Sequence, residues 1–403
     1  MININEAINI IIENTKNISF EQRDIINCNN RVLAEDIYSN DNLPPFNKSA
    51  MDGYAIKSQD TVGVHKDNKI GLEVKKTIKA GDWCEDILKN GEAFKIMTGA
   101  PLPIGADSVI KIEKTAEENN IVYIESRVKQ WENVIRLGEE IKTLDIALKK
   151  GALIRTSEIG LLASLGYTNI TVYKSPVVAL IITGDELVDI ESKLEKGKIR
   201  NTNEYTLTSL IENSGAEIIS FGTVTDNRSL ILEKVKLALG KADIIITSGG
   251  VSVGEYDFIE DILIEVGANI KFNSVAIKPG QPITFATYDK KLIFGLPGNP
   301  LSVITTFEEF VKPAIRKIMG KRKLFSNEFD VRLSNDFKSK LGRRDFVYVH
   351  LEKENGFYHA HKIGTQSSNQ LMNLTKSNGL IIIPEERETA REGEILNGRF
   401  IFE

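Results

Sequence analysis

A chain of 403 residues exceeds what one hydrophobic core normally organises, so roughly two to four domains are expected. Its 41% apolar and 27% charged residues belong to a folded globular protein, and a net charge of −5 argues against a dedicated nucleic-acid binder. The two cysteines, Cys28 and Cys84, form no CxxC, which disfavours a disulfide framework or a cysteine metal site and fits a reducing cytoplasm.

In chain order, residues 1–22 predict an amphipathic helix, with Ile4, Ala7, Ile8, Ile11 and Ile12 at helical spacing. The segment lacks the basic start of a signal peptide, and Glu13 breaks its apolar run. No run of about 18 uncharged apolar residues occurs, so no membrane span is expected. Residues 23–140 alternate short β-prone segments with Gly, Pro and Asn signals and predict a β-rich domain. Two of its loops, Leu43–Ala55 and Ile96–Pro103, combine small residues and prolines with a single presented polar side chain. Residues 141–174 predict a hairpin and a short helix stopped by Gly166, and are grouped with 1–22 as a discontinuous linker domain.

Between 175 and 322 strands alternate with helices: strands at Val177–Thr183, Glu217–Thr223, Asp243–Thr247 and Leu292–Leu296, helices near Asn203–Asn213, Ser229–Leu239 and Phe258–Val266, and a long helix over Pro300–Met319. This is a βαβ progression, hence a doubly wound, largely parallel sheet. Residues 323–403 return to strands, notably Phe346–His350 and Gly379–Pro384, and predict a small β-barrel-like domain.

Two strand-to-loop junctions carry the chemistry. Ile181-Ile182-Thr183-Gly184-Asp185-Glu186 and Ile246-Thr247-Ser248-Gly249-Gly250-Val251-Ser252-Val253-Gly254-Glu255-Tyr256-Asp257 both run from a fully apolar strand into glycines and carboxylates. Either alone would read as an ordinary turn with solvated acids. Two in one sheet point to a phosphorylated ligand, because backbone N–H groups can approach a phosphate at glycine and carboxylates beside it need a divalent cation. Leu296-Pro297-Gly298-Asn299-Pro300-Leu301-Ser302 suits a helix start, with Asn299 as N-cap and Pro300 in the first turn, and such a start offers N–H groups to an anion. Lys278, before Pro279-Gly280-Gln281-Pro282, places one positive charge nearby. His359 and His361 share a strand face, but no third metal ligand accompanies them in sequence, so they are read as surface histidines.

Taken together, SAMDGYA (49–55), MTGAPLPIGAD (97–107), TGDEL (183–187), SGGVSVGEYDF (248–258), KPGQP (278–282) and LPGNPLS (296–302) resemble, in order, the molybdopterin molybdotransferases, called MoeA in bacteria and the gephyrin E domain in animals. The resemblance implies insertion of molybdate into adenylylated molybdopterin with Mg²⁺ and release of AMP. It implies a homodimer of four-domain subunits, with Asp52 and Thr98 reaching the partner's cleft. By motif position, Glu186, Asp226 and Asp257 would hold Mg²⁺ or position the adenylyl phosphate. Thr183, Gly184, Ser248, Gly249, Gly250 and Ser252 would cradle the pterin phosphate. Lys278, Ser302 and the turn Pro297, Gly298, Asn299, Pro300 would receive the oxyanion, and Arg343 (or the adjacent Arg344) and Ser368 would contact the cleft. Transient contact with the adenylyltransferase and with acceptor molybdoenzymes is implied as well. Glu140 and Gln281 stand where many members carry Asp and Lys, and weakened anion affinity is expected from Gln281, which still donates hydrogen bonds. The sister adenylyltransferase shares the α/β domain but is usually much shorter and lacks the SAMDGYA loop. A partner-binding scaffold would call for an added domain or a long linker.

Overall fold

The computed structural model describes residues 1–16, 19–250, 258–364 and 370–401. They divide into two units, one of residues 1–34, 153–155 and 169–403, the other of residues 35–152 and 156–168.

The first unit is organised by a six-stranded sheet in the spatial order Glu217–Val224, Val177–Thr183, Ile244–Ser248, Lys291–Leu296, Pro282–Tyr288, Asn269–Ser274. The first four strands are parallel. Their side chains alternate between two buried faces. Val178, Leu180, Ile182, Ile244 and Ile246 pack with helices Ile4–Asn14, Asn203–Asn213 and the chain from Pro300 to Ile318, whereas Ala179, Ile181 and Ile245 pack with Arg228–Lys241 and Ile259–Glu265. That two-sided burial is why these strands read as unbroken apolar runs.

The sheet is largely parallel, as expected, and Asn269–Ser274 and Pro282–Tyr288 add an antiparallel edge; the expected extents of the N-terminal helix and of the long helix are corrected. Pro282–Tyr288 and Lys291–Leu296 form a hairpin over Asp289-Lys290, with Asp289 at φ +52°, and this turn lacks the usual Asn-Gly signature. The N-terminal helix ends at Asn14, beyond its last apolar residue at helical spacing. Phe20–Asp24 is instead a strand paired with Asn169–Tyr173. The long helix is interrupted by a π segment, Phe307–Val311, between Pro300–Thr306 and Lys312–Ile318. Pro313 has no N–H for the carbonyl of Glu309 and its ring would clash there, so the turn widens.

The terminal part of this unit is a closed five-stranded barrel. Arg344–Glu354 pairs with Phe357–Lys362 and Gly379–Ile383, and Phe329–Leu333 and Ile395–Phe400 complete the ring. Its interior holds Val331, Val349, Leu351, Ala360, Ile381 and Leu396. Arg399 reaches out of the barrel wall and pairs with Glu309 of the π segment, both side chains being only 6% exposed. Burial pushes the Glu309 carboxyl up, and the Arg399 guanidinium opposes that shift.

The second unit carries another six-stranded sheet, in the order Ser108–Lys111, Gly53–Ile56, Glu92–Ile96, Ile70–Ile78, Ile121–Ile124, Thr115–Glu118. Gly53 is required by close approach, since a Cβ there would stand 1.9 Å from the Ile110 carbonyl oxygen. Among the described residues, no helix is long and apolar enough to cross a membrane.

Removing one partner of the Glu309–Arg399 pair strands a buried charge. Arg399→Met should therefore destabilise the protein by about 3–5 kcal/mol, and adding Glu309→Gln should recover most of that loss. Urea denaturation of the two single variants and the double variant checks this. Equal stability of Arg399→Met and wild type would contradict it.

Candidate active site

At the carboxyl ends of the parallel strands, a pocket of about 320 Å³ is lined by Thr183, Gly184, Glu186, Asp226, Ser248, Gly249, Gly250 and the turn Pro297–Pro300. Ligands of open α/β sheets bind at this end because helix starts and loops converge there. Gly249 sits at φ +96°, and a Cβ would lie 2.4 Å from the Thr183 carbonyl oxygen, so the two junctions touch through glycine backbone. Asn203, at the start of its helix, clamps the wall by donating from Nδ2 to Ser248 Oγ at 3.1 Å and to the Gly298 carbonyl at 2.7 Å. Ser248 Oγ in turn donates to the Pro297 carbonyl at 3.2 Å.

The carboxylate edge is organised by backbone donors. The Asp226 N–H bonds Asp185 Oδ1 at 3.0 Å, and the Asp185 N–H bonds Asp226 Oδ2 at 3.3 Å. Two buried oxygens, Thr183 Oγ1 and Asn203 Oδ1, have no hydrogen-bond partner among the described residues. Buried polar atoms are usually paired, so these two suit a polar ligand. Glu186 and Asp226 supply hard oxygen donors, the type that Mg²⁺ prefers. Asn299 caps its helix by position but makes no side-chain capping bond, unlike the usual N-cap asparagine.

A second pocket, of about 910 Å³, adjoins the first through Pro282. It is lined by Lys278, Gln281, Ser302, Lys338, Arg343 and Lys362, with Asp336 and Asp345 as its carboxylates. The short strand Ile277–Lys278 pairs in parallel with the start of Arg344–Glu354, so Lys278 stands opposite Asp345. Asp345 is buried, with Oδ1 3.1 Å from Arg343 Nε and Oδ2 4.0 Å from Lys278 Nζ. Burial pushes its carboxyl up, and the Arg343 and Lys278 charges draw it back. Arg343 and Arg344 part company: Arg343 lines the pocket, whereas Arg344 makes a two-pronged pair with Glu385, at 3.0 and 3.2 Å.

In the second unit, Asp52 and Thr98 meet although 46 residues apart. The Thr98 N–H and hydroxyl both donate to Asp52 Oδ1 at 2.7 Å. These bonds hold the exposed Asp52 carboxyl below its ordinary range. Ser252, Asp257 and Ser368 lie outside the described residues. Reading the sequence missed Asn203 and Asp345 as site residues. The polar run Arg200-Asn201-Thr202-Asn203 before a helix, and an Asp directly after two arginines, were the available signals.

Comparison with known proteins matches three regions of the chain. Residues 2–166 match the family described as MoeA N-terminal region (domain I and II), residues 179–317 a probable molybdopterin binding domain, and residues 330–397 the MoeA C-terminal region (domain IV). The molybdopterin molybdenumtransferase of Staphylococcus epidermidis is 36% identical over 399 residues, spanning 98% of this chain and 94% of the relative. That of Nostoc sp. is 37% identical over 393 residues, spanning 95% and 90%. The crystal structure of the molybdopterin biosynthesis moeA protein from Pyrococcus horikoshii OT3 matches with a TM-score of 0.85 at 31% identity, covering 99% of this chain and 100% of that one.

The fold is thus a multidomain α/β plus β architecture with a molybdopterin-binding central domain and a small terminal barrel. The chain belongs to the MoeA family of molybdopterin molybdenumtransferases, whose role is in molybdenum cofactor biosynthesis.

Because Thr98 stabilises the charged form of Asp52, Thr98→Val should raise the Asp52 pKa towards the usual carboxylate value while the backbone bond keeps part of the depression. A depressed carboxylate pKa contributes stability above its unfolded value and loses it as pH falls through the folded value. Carbon-13 NMR titration of the carboxyl checks the shift, and an unchanged Asp52 titration would contradict it.

Proposed function

We propose that this chain takes adenylylated molybdopterin and molybdate, releases AMP, and leaves molybdenum on the dithiolene. The observation that supports this most is the pairing of two adjoining pockets with different chemistry: one of glycine backbone and carboxylates, one predominantly cationic. The first suits a phosphate with Mg²⁺, the second a tetrahedral dianion. The matched family domains and the names of the relatives favour the same reaction.

In this reading Thr183, Gly184, Ser248, Gly249 and Gly250, with Ser252 from the sequence pattern, receive the pterin phosphate. Glu186 and Asp226, with Asp257 by motif position, would hold Mg²⁺. A bound ion would supply charge neutralisation at the phosphate and polarise its phosphoanhydride bond to AMP. Lys278 and Arg343 orient molybdate by charge-assisted hydrogen bonds, with Ser302, the Pro297–Pro300 turn and Ser368 completing its surroundings. The buried Asp345 lets two cations stand together without an anion present. Gln281 lines this pocket as a neutral donor.

We further infer a cytoplasmic homodimer in which Asp52 and Thr98 serve the partner's cleft, with transient contacts to the adenylyltransferase and acceptor molybdoenzymes. The four-domain division into 1–22 with 141–174, 23–140, 175–322 and 323–403 belongs to the same reading, and the family matches at 2–166, 179–317 and 330–397 favour its breaks near 175 and 323.

The test supplies purified adenylylated molybdopterin, Mg²⁺ and molybdate and follows AMP release and molybdenum content. AMP should appear in a molybdate-dependent manner, and none above the no-enzyme control, with substrate demonstrably bound, would contradict the proposal. Asp52→Ala and Glu186→Ala subunits, each inactive alone, should regain part of their activity on mixing. No recovery despite subunit exchange would remove the shared site while leaving the reaction itself intact.

A further inference from the structure

Three of the four histidines, His350, His359 and His361, fall on one hairpin of the terminal barrel, formed by Arg344–Glu354 and Phe357–Lys362. Its antiparallel register sets His350 opposite His361, Leu351 opposite Ala360 and Glu352 opposite His359. Leu351 and Ala360 are buried in the barrel. Side chains alternate faces along a strand, so His350, Glu352, Glu354, His359 and His361 all share the outer face. The hairpin's lysines have the opposite parity: Lys353 Nζ lies 5.7 Å from the Tyr358 ring centroid, and Lys362 lines the cationic pocket. Arg332, on the neighbouring strand beside His359, rests its guanidinium 5.7 Å from the Phe357 ring centroid.

The ligand atoms of Glu352, Glu354 and His361 lie within 4.8 Å of one another. His361 Nε2 is 3.6 Å from Glu354 Oε1, too far for a hydrogen bond. That nitrogen is buried and has no hydrogen-bond partner among the described residues, although the side chain is 39% exposed. An unpaired buried imidazole nitrogen facing two carboxylates is an unfavourable arrangement unless something cationic joins them.

We propose that this outer face binds a divalent transition cation of the Zn²⁺ type through His361, Glu352 and Glu354, with water completing the coordination. One imidazole and two carboxylates suit Zn²⁺ better than Mg²⁺, which favours oxygen alone. Metal–ligand bonds of about 2.0–2.2 Å put tetrahedral donors roughly 3.4 Å apart, so small side-chain rotations close this triad. His359, opposite Glu352, and His350, opposite His361, flank it on the same face. The bound ion would cross-link the two strands, and the site is separate from the proposed Mg²⁺ carboxylates Glu186 and Asp226.

Calorimetric titration of the full chain with ZnCl₂ tests this, using wild type, His361→Gln, Glu354→Gln and Glu186→Gln. Wild type and Glu186→Gln should share a binding component that His361→Gln and Glu354→Gln weaken by more than about tenfold. Zinc should raise the melting temperature of the first two proteins and not of the hairpin variants. Matching metal-free melting curves exclude misfolding, as expected for partly exposed positions. No zinc binding by wild type, or a component kept by His361→Gln and lost in Glu186→Gln, would overturn the proposal.

Discussion

Two backbone registrations, Ile277 against Arg344 and Lys278 against Asp345, hold the cationic pocket together. They zip the segment before Pro279 onto a barrel strand and so bring Lys278 and Arg343 to one carboxylate. Without that ladder the two cations would belong to separate elements with no reason to converge. Asp345 offsets their repulsion, and its burial limits how far solvent screens the three charges. The Glu309–Arg399 pair is a second tie between the helical layer and the barrel, and the buried Thr305–Tyr348 hydroxyl contact at 3.0 Å is a third. These contacts join loops from two different cores into one wall.

The neighbouring pocket rests on a different constraint, close packing of backbone against backbone. Gly249 against Thr183 leaves no room for a side chain, and Asn203 ties the second junction to the Pro-Gly-Asn-Pro turn. The glycines therefore do more than permit a turn. They let two strand ends meet backbone to backbone beside Glu186 and Asp226.

Much of this was legible in the sequence because burial on both faces leaves an unmistakable mark. Val177–Thr183 and Ile244–Ser248 carry no polar alternation and run into glycines, as expected of central parallel strands. The antiparallel edge was less legible, since Asp289-Lys290 is a weak turn signal. The π segment was missed because the apolar pattern runs on past Pro313, so an unbroken helix was expected, and the turn that the proline widens leaves no mark of its own in that pattern. In the site, motif order singled out Lys278, Ser302 and Arg343, yet Asp345 went unassigned. Its importance depends on a pairing between positions 278 and 345 that no local pattern encodes. The Asp52–Thr98 bond is equally non-local. His359 and His361 were set aside for want of a further ligand in sequence; the two glutamates that lie near His361, Glu352 and Glu354, come from the facing strand, visible only in the register.

On this reading the ladder-built pocket receives the oxyanion. Tungstate matches molybdate in charge and shape and scatters X-rays strongly, so anomalous difference maps from tungstate-soaked crystals locate the anion directly. A peak should stand between Lys278 and Arg343 and disappear in Lys278→Ala. A peak found only elsewhere, with this pocket empty at saturating tungstate, would contradict it.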